Sequence, residues 1–244
     1  MVKGEFPRGK KVRHNLSRVN VSDISEQRYC EMKIDNRYSR RETAATFSKR
    51  KGRELHDMIL PGPTQSLDQI ANGIESLAVF TTFFPLMGKY KDVVIAGRPD
   101  ATIFVQGIPK FLVELKTTYG NSLTIWKNEM IQTGIYAFLL EQMGFECSTL
   151  QLAVLRLRQD PSESLVHKSR FIHSIASVLL NGRVKDLARI YLDNIRCECL
   201  SYDRHEIERE LDWALGYWLS EREPERTSNT ARCNSCEFVK VCNS

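Results

Sequence analysis

The sequence lacks any apolar run of the length that crosses a membrane, which is roughly 18 residues or more. Its basic amino terminus has no apolar core of the kind found in secretory signals. It also has no internal repeat and no low-complexity tract, which argues against repeat architectures and compositionally biased chains. These absences predict a soluble globular protein inside the cell, in the cytoplasm.

The composition is that of an ordinary globular protein with a basic charge balance. Its 244 residues (28.1 kDa) suffice for one sizeable core with an appendage, or for two small domains. Hydrophobic residues make up 42% and charged residues 27%, both ordinary fractions. The net charge of +5 and the pI near 8.8 fit a polyanionic partner.

Basic residues are concentrated in two stretches. Residues 1–20 are rich in Lys and Arg, and we expect either a solvated flexible tail or an arm that contacts phosphates. The densest basic stretch runs over residues 37–53 and leads into His56, which has apolar residues at helical spacing around it. Taken alone, such a histidine is more often a core residue than a ligand.

The segment from Gly97 to Lys116 has the strongest catalytic pattern. Asp100 follows a proline, and Glu114 and Lys116 stand two apart in an apolar run, so in a strand both side chains lie on one face. Two carboxylates suit Mg²⁺ or Mn²⁺. A lysine beside them can hold an attacking water or offset charge on a phosphate. The pattern predicts hydrolysis of a phosphodiester.

The local sequence also predicts how this segment folds. Strands are expected over 93–96, 101–105 and 111–117, with a hairpin connection over 106–110 that returns Asp100 toward Glu114. A helix is expected over 125–143, with Gln132 and Tyr136 four apart on one face. A further strand is expected over 148–158.

Cysteines form the second strong signal. Seven cysteines, an odd number in a chain expected inside the cell, favour metal or cluster ligation over a disulfide framework. Cys233, Cys236 and Cys242 lie within ten residues, as zinc or an iron–sulfur cluster would require. Zinc and an iron–sulfur cluster each take four ligands, and we expect Cys30 to be the fourth. We interpret the pair Cys197 and Cys199 as structural.

The order and spacing of these residues resemble those of the iron–sulfur nucleases in the RecB-like branch of the PD-(D/E)XK superfamily. The match covers roughly residues 20–242, and the segments VSDISEQRYCEMK and WALGYWLSEREPERTSNTARCNSCEF look most like exonuclease V. The CRISPR-associated RecB-like nucleases are close behind. The residues that carry the resemblance are Cys30, His56, Asp100, Glu114, Lys116, Gln132, Tyr136, Cys233, Cys236 and Cys242.

The resemblance implies an α/β fold, with a restriction-endonuclease-like mixed central sheet flanked by helices. It implies a [4Fe–4S] cluster on Cys30, Cys233, Cys236 and Cys242 that joins the two ends of the chain. One or two Mg²⁺ or Mn²⁺ ions would be held by His56, Asp100, Glu114 and the Leu115 carbonyl, with Lys116 as the third catalytic residue. The expected DNA contacts are Gln132, Tyr136, Arg50, Lys51 and Arg53.

The predicted organisation is a flexible basic arm over 1–20, followed by a single nuclease domain over 21–244. Its core spans about 50–160, its helical region 164–220, and its cysteine-rich segment 231–244. Ser22 is the expected N-cap of the first helix, residues 61–72 are expected to form a loop, and the helices of the helical region are expected over 169–180, 184–194 and 204–219.

The function implied by the resemblance is a metal-dependent exonuclease that cuts single-stranded DNA in repair or processing. One alternative is a CRISPR-associated nuclease that trims DNA ends for spacer acquisition. A helicase, a single-strand-binding protein or a CRISPR integrase would be a partner. An alternative of another class is a zinc-containing nucleic-acid-binding protein without activity, with Cys197, Cys199, Cys233 and Cys236 as ligands. An endonuclease acting on duplex DNA is a further alternative.

Overall fold

The computed structural model describes residues 9–39, 66–118, 120–158, 168–187, 194–234 and 236–242. Within these ranges the strands are β1 (Val19–Asn20), β2 (Val79–Thr82), β3 (Leu86–Tyr90), β4 (Val93–Gly97), β5 (Ala101–Val105), β6 (Ile108–Thr118), β7 (Gln151–Arg158) and β8 (Ile195–Ser201). The helices are α1 (Val21–Tyr29), α2 (Glu31–Ser39), α3 (Leu67–Ser76), α4 (Lys127–Gln142), α5 (Lys168–Leu180), α6 (Arg204–Trp218), α7 (Thr230–Asn234) and α8 (Val239–Cys242). His56, Arg50, Lys51 and Arg53 lie outside the described residues.

The strands form two mixed sheets. A five-stranded sheet has the order β2-β5-β6-β7-β8, in which β6 and β7 are parallel and the other neighbours are antiparallel. A three-stranded sheet has the order β1-β4-β3, with β1 parallel to β4. The chain passes from the second sheet to the first between β4 and β5, so this connection lies where the two sheets meet.

Helices cover both faces of the five-stranded sheet. Alternate residues of a strand point to opposite faces, and in β6 Leu112 packs in one core with α1, α4 and α6, whereas Val113 and Leu115 pack in a second core with α5. Polar side chains that share the face of Leu112 therefore point toward α4. A mixed sheet flanked by helices confirms the coarse architecture expected from the sequence.

The hairpin between β5 and β6 is tighter than predicted. Gln106 and Gly107 alone form the connection, and both have positive φ, 50° and 79°, as two-residue hairpin turns of the favoured twist require. The strand β6 consequently begins at Ile108, so the predicted connection over 106–110 was too long. The prediction failed because Pro109 was taken as a turn residue, although it lies near the start of a strand.

Two further predictions of secondary structure were wrong. Residues 67–72 were expected as a loop but form the first part of α3. Ser66 and Gln69 cap this helix reciprocally. The backbone N–H of Gln69 donates to Ser66 Oγ, and the backbone N–H of Ser66 donates to Gln69 Oε1. The helical region expected over 164–220 contains β8, which completes the edge of the five-stranded sheet next to β7.

Residues 9–20 are the described part of the predicted arm over 1–20, and they contact the rest of the fold. Among the described residues of that arm, Arg13 donates to the carbonyls of Tyr217 and Arg222, and Val19 is buried in β1. The first helix begins after Asn20, not at the predicted N-cap Ser22. In the described ranges, no helix is both long and apolar enough to cross a bilayer.

Candidate active site

Asp100 and Glu114 meet where the two sheets join. Asp100 directly precedes β5 and lies one position beyond the β5–β6 pair of Ala101 and Val113, which places it opposite Glu114. Its Oδ2 accepts a hydrogen bond of 2.7 Å from the Leu115 amide. Both carboxylates are buried. The predicted return of Asp100 toward Glu114 is therefore observed, and it results from the antiparallel register of the hairpin.

Lys116, Gln132 and Tyr136 complete a hydrogen-bonded cluster around Glu114. Glu114 Oε1 accepts from Lys116 Nζ and from Gln132 Nε2, each at 2.7 Å. Lys116 Nζ also donates to Gln132 Oε1 (3.0 Å), and Gln132 Nε2 donates to the Tyr136 hydroxyl (3.2 Å). Each end of the Gln132 amide thus has a partner that fixes its orientation. We call Asp100, Glu114, Lys116, Gln132 and Tyr136 the carboxylate cluster.

The electrostatics of the cluster keep Lys116 charged and Tyr136 neutral. Burial acts to lower the pKa of Lys116, but the charge and hydrogen bond of Glu114 outweigh it, so this pKa lies above the ordinary value. Burial raises the pKa of Tyr136 far above its ordinary value, and the charge of Glu114 adds to that effect. At neutral pH Lys116 is therefore an ammonium group and Tyr136 a neutral phenol.

Gly97 leaves the space that Tyr136 occupies. A Cβ atom at position 97 would lie 2.7 Å from Tyr136 Cε1 and 2.9 Å from Val21 Cγ2, both too close for a real contact. The end of β4 therefore needs glycine so that α4 and α1 can approach it. The sequence analysis did not single out this glycine as a site residue, although it stands three positions before Asp100 in the same segment.

Glu129 and Arg156 support the cluster from the side of α4 and β7. Arg156 is the register partner of Lys116 in the parallel pair β6–β7, and its guanidinium pairs with Glu129 in the first turn of α4. The charge of Glu129 also contributes to the raised pKa of Lys116. Sequence reasoning missed both residues, because the pairing of β6 with β7 joins positions that no local pattern links.

The oxygen donors present fit a divalent ion. Asp100 and Glu114 are hard ligands of the kind that Mg²⁺ and Mn²⁺ prefer, and the fold brings both into one buried cluster beside the Leu115 backbone. Within the described residues, no group of three or more His, Cys, Asp or Glu side chains is arranged to hold an ion. The third side-chain ligand predicted from the sequence, His56, lies outside those residues.

Four cysteines line a pocket at the carboxy-terminal end of α1. Cys30 lies between α1 and α2, and the other three come from the carboxy-terminal segment: Cys233, Cys236 and Cys242. All four line one pocket. Lys33, Arg226 and Arg232 also line it, and Lys33 pairs with Glu26 and Glu237. The four thiols that the resemblance assigned to one cluster thus lie around one pocket, although among the described residues no three of them are arranged to hold an ion. We call this the cysteine pocket.

Cys197 and Cys199 are elsewhere. They project from β8 toward the core beside α5, with their Sγ atoms 3.9 Å apart. Neither lines the cysteine pocket. The zinc set of Cys197, Cys199, Cys233 and Cys236 is therefore not assembled in the described part of the chain, which agrees with the interpretation of the β8 pair as structural.

The two described residues expected to contact DNA are both buried. Gln132 and Tyr136 point into the carboxylate cluster from α4 instead of toward solvent. Their contact with DNA stays a prediction. Arg50, Lys51 and Arg53 lie outside the described residues.

Comparison with known proteins identifies a sequence relative and several similar solved structures. The chain matches no protein-family model. It is 24% identical to exonuclease V from Danio rerio over an alignment of 187 residues, and the match covers 65% of this chain and 48% of that protein. The chain thus spans about half the length of this curated relative.

Both solved structures have a TM-score of 0.47 to this chain. The crystal structure of SSO0001 is 16% identical, and the match covers 99% of this chain and 88% of that one. The crystal structure of a candidate exonuclease from Eubacterium rectale is 10% identical, with 89% and 88% of the two chains covered.

Proposed function

We propose that the protein is a metal-dependent exonuclease that hydrolyses phosphodiester bonds of single-stranded DNA, and that it belongs to the RecB-like PD-(D/E)XK nucleases. The observation that carries the proposal is the carboxylate cluster. Its side chains come from a connection between sheets, a strand and a helix, yet Glu114, Lys116, Gln132 and Tyr136 are joined by direct hydrogen bonds. Asp100 is held opposite Glu114 by the Leu115 backbone amide. The sequence similarity to exonuclease V supports the same class of activity.

The residues of the cluster have separate roles in this proposal. Asp100 and Glu114 would hold a Mg²⁺ or Mn²⁺ ion, together with the Leu115 carbonyl and His56. When bound, such an ion polarises a phosphate and lowers the pKa of a bound water. Lys116 lies on the same strand face as Glu114 and offsets the negative charge that develops on the phosphate. Gln132 orients both Glu114 and Lys116 through its amide.

Preorganisation is the physical advantage of this arrangement. Glu114 and Lys116 already have fixed partners, so little reorganisation is needed when a phosphate arrives. Tyr136 adds a neutral hydroxyl that accepts from Gln132 and is itself held against the end of β4. A misplaced Tyr136 would loosen Gln132, and through it the two charged groups.

We also propose that the cysteine pocket binds a [4Fe–4S] cluster. Four thiols around one pocket are the donor set that such clusters use. Iron and sulfide content, together with visible absorbance after anaerobic purification, tests this part without an activity assay. A colourless protein that contains zinc would contradict it.

The test of the function is a digestion assay on single-stranded DNA labelled at either end, with and without Mg²⁺ or Mn²⁺. We expect metal-dependent release of short products, and the label released first gives the polarity. Asp100→Asn and Lys116→Met should abolish cleavage and retain DNA binding, whereas Asp186→Asn, a surface change beside Arg183, should cut normally. Binding without cleavage by the unmodified protein would instead support a nucleic-acid-binding module.

A further inference from the structure

The helix that carries Gln132 and Tyr136 presents an exposed aromatic side chain at its amino-terminal end. Trp126 immediately precedes α4 and is 50% exposed, whereas Tyr136 is 3% exposed. Among the described residues, the other large apolar side chains with comparable exposure are aliphatic or Met. A buried phenol within the cluster cannot stack on a base, whereas an exposed indole at the start of the same helix can.

The other tryptophans are held inside the fold. Trp218 is fully buried in the core with α1 and α4. Trp213 is partly buried, and the guanidinium groups of Arg28 and Arg222 lie over its ring. Trp126 therefore differs from both, because its ring is exposed to solvent.

The backbone beneath Trp126 is anchored to the sheet next to Lys116. The Trp126 amide donates to Glu129 Oε2 at 3.0 Å, and the other oxygen of Glu129 accepts from Arg156. Arg156 is the register partner of Lys116 on the adjacent strand. Two contacts thus connect the backbone of Trp126 to β7, the strand next to the one that carries Lys116. An aromatic side chain on such a rigid support loses little entropy when it binds a ligand.

Cationic side chains on the same face of the sheet can hold phosphates near this ring. Lys116, Arg156 and Arg196 are register partners across β6, β7 and β8, so they form a row on the face that points toward α4. The side chain of Arg196, at the sheet edge, is 54% exposed. In the described part of the chain, its one ion pair is with the partly exposed Glu198. Exposed pairs of this kind contribute little, so a phosphate can replace Glu198.

We propose that Trp126 is a stacking platform for a base of the single-stranded substrate. The inference rests on the proposed function, and it identifies the residue that selects unpaired nucleic acid. Trp126 lies about 9 Å from Gln132 along the helix axis, within reach of nucleotides that flank the scissile phosphate. Every base has a π face, so the stack is tolerant of sequence, but a base inside a duplex has both faces occupied.

The test compares three variants of the full-length chain. Trp126→Leu removes the aromatic ring but keeps an apolar side chain, and Trp126→Phe keeps a ring. Met143→Ala is the matched control, because Met143 is 44% exposed and ends the same helix about 25 Å away. Affinity for a single-stranded oligonucleotide is measured without divalent ions, so that no strand is cut.

We expect Trp126→Leu to bind about tenfold more weakly, which is typical of a lost base–aromatic stack. Trp126→Phe should stay within about threefold of the unmodified protein, and Met143→Ala should be unchanged. The oligonucleotide should also protect the fluorescence of Trp126 from a soluble quencher. Equal affinity of Trp126→Leu and the unmodified protein would overturn the inference, and so would an equal loss in Met143→Ala.

The test of the stacking site can be distinguished from the test of the proposed nuclease activity. If the unmodified protein does not cut DNA but its binding depends on an aromatic residue at position 126, the nuclease proposal fails and the stacking site stands. If the protein cuts single strands and Trp126→Leu binds and cuts as well as the unmodified protein, the nuclease proposal stands and the stacking site is wrong.

Discussion

The carboxylate cluster and the cysteine pocket both gather ligands, but the protein holds them in different ways. In the cluster, the side chains bond to one another at 2.7 to 3.2 Å. In the pocket, the thiols accept from groups outside the set: the Asn36 side-chain amide donates to Cys242 Sγ and the Phe238 backbone amide to Cys236 Sγ, each at 3.5 Å. The side chains of the cluster thus hold one another, whereas these hydrogen bonds to the thiols come from neighbouring groups.

This difference has a consequence for what each site contributes. The carboxylate cluster is complete as a protein structure, because Lys116 already balances Glu114. The four thiols have no such internal balance, and a shared ligand would join segments from both ends of the chain. Changes in the cluster should therefore act on catalysis, and changes in the pocket should act on stability. Four predictions test this contrast.

The largest expected effect is on catalysis in Glu114→Gln. Loss of one metal-binding carboxylate should lower cleavage by about a thousandfold or more, while thermal unfolding shifts by no more than about 4 °C, or roughly 1 kcal/mol. The matched control is Glu198→Gln, the same change on β8 at an exposed pair. Cleavage within tenfold of the unmodified protein would remove Glu114 from the catalytic site.

The second prediction concerns the cysteine pocket, where we expect a change in iron content and stability. Cys30→Ser should lower the iron content and the visible absorbance, and should lower the unfolding temperature by about 5 °C or more, because the link between the chain ends is lost. Iron analysis and calorimetry of the anaerobically purified protein measure both quantities. An unchanged spectrum would show that Cys30 is not a ligand.

A smaller effect is expected where packing supports the cluster. Gly97→Ala places a methyl group against Tyr136 and Val21, which should cost about 1 to 3 kcal/mol of unfolding free energy and lower cleavage by displacing Tyr136. Gly120→Ala is the control, since its nearest neighbour is Thr118 Oγ1 at 3.5 Å, an ordinary contact distance. Full activity in Gly97→Ala would mean that the position of Tyr136 does not matter.

The smallest effect is expected in Cys197→Ser. Its thiol lies in the core beside α5 and not in the cysteine pocket, so iron content and absorbance should be unchanged, and the unfolding free energy should fall by about 1 kcal/mol or less. Loss of metal in this variant would assign β8 to a metal site and would favour a zinc protein over an iron–sulfur nuclease.

The sequence made the local parts of the candidate site predictable. Alternation placed Glu114 and Lys116 on one strand face, and helical spacing placed Gln132 and Tyr136 on one helix face, because both patterns depend only on positions close in sequence. The structure added which helix face meets which strand face. Its direct contacts from Gln132 to Glu114 and Lys116 could not be read from spacing alone.

The missed features depend on pairing between distant segments. Arg156 and Arg196 acquire their positions from the registers of β7 and β8, and β8 was missed because it lies between helical segments. By contrast, the capping residues Ser66 and Gln69 were visible in the sequence and were overlooked, because the surrounding proline and glycine dominated the interpretation. The four thiols of the pocket were grouped through the family resemblance, since spacing alone supplied three of them.

The separation of Cys30 and Cys242 along the chain bears on how the molecule folds. Residues of the carboxylate cluster are near neighbours in sequence, so their contacts form early at a small loss of loop entropy. Cys30 and Cys242 are about 210 positions apart, and a link between them would remove about 5 kcal/mol of conformational freedom from the unfolded chain. We therefore expect the pocket to close late in folding, and a ligand that bridged it would slow unfolding of the whole chain.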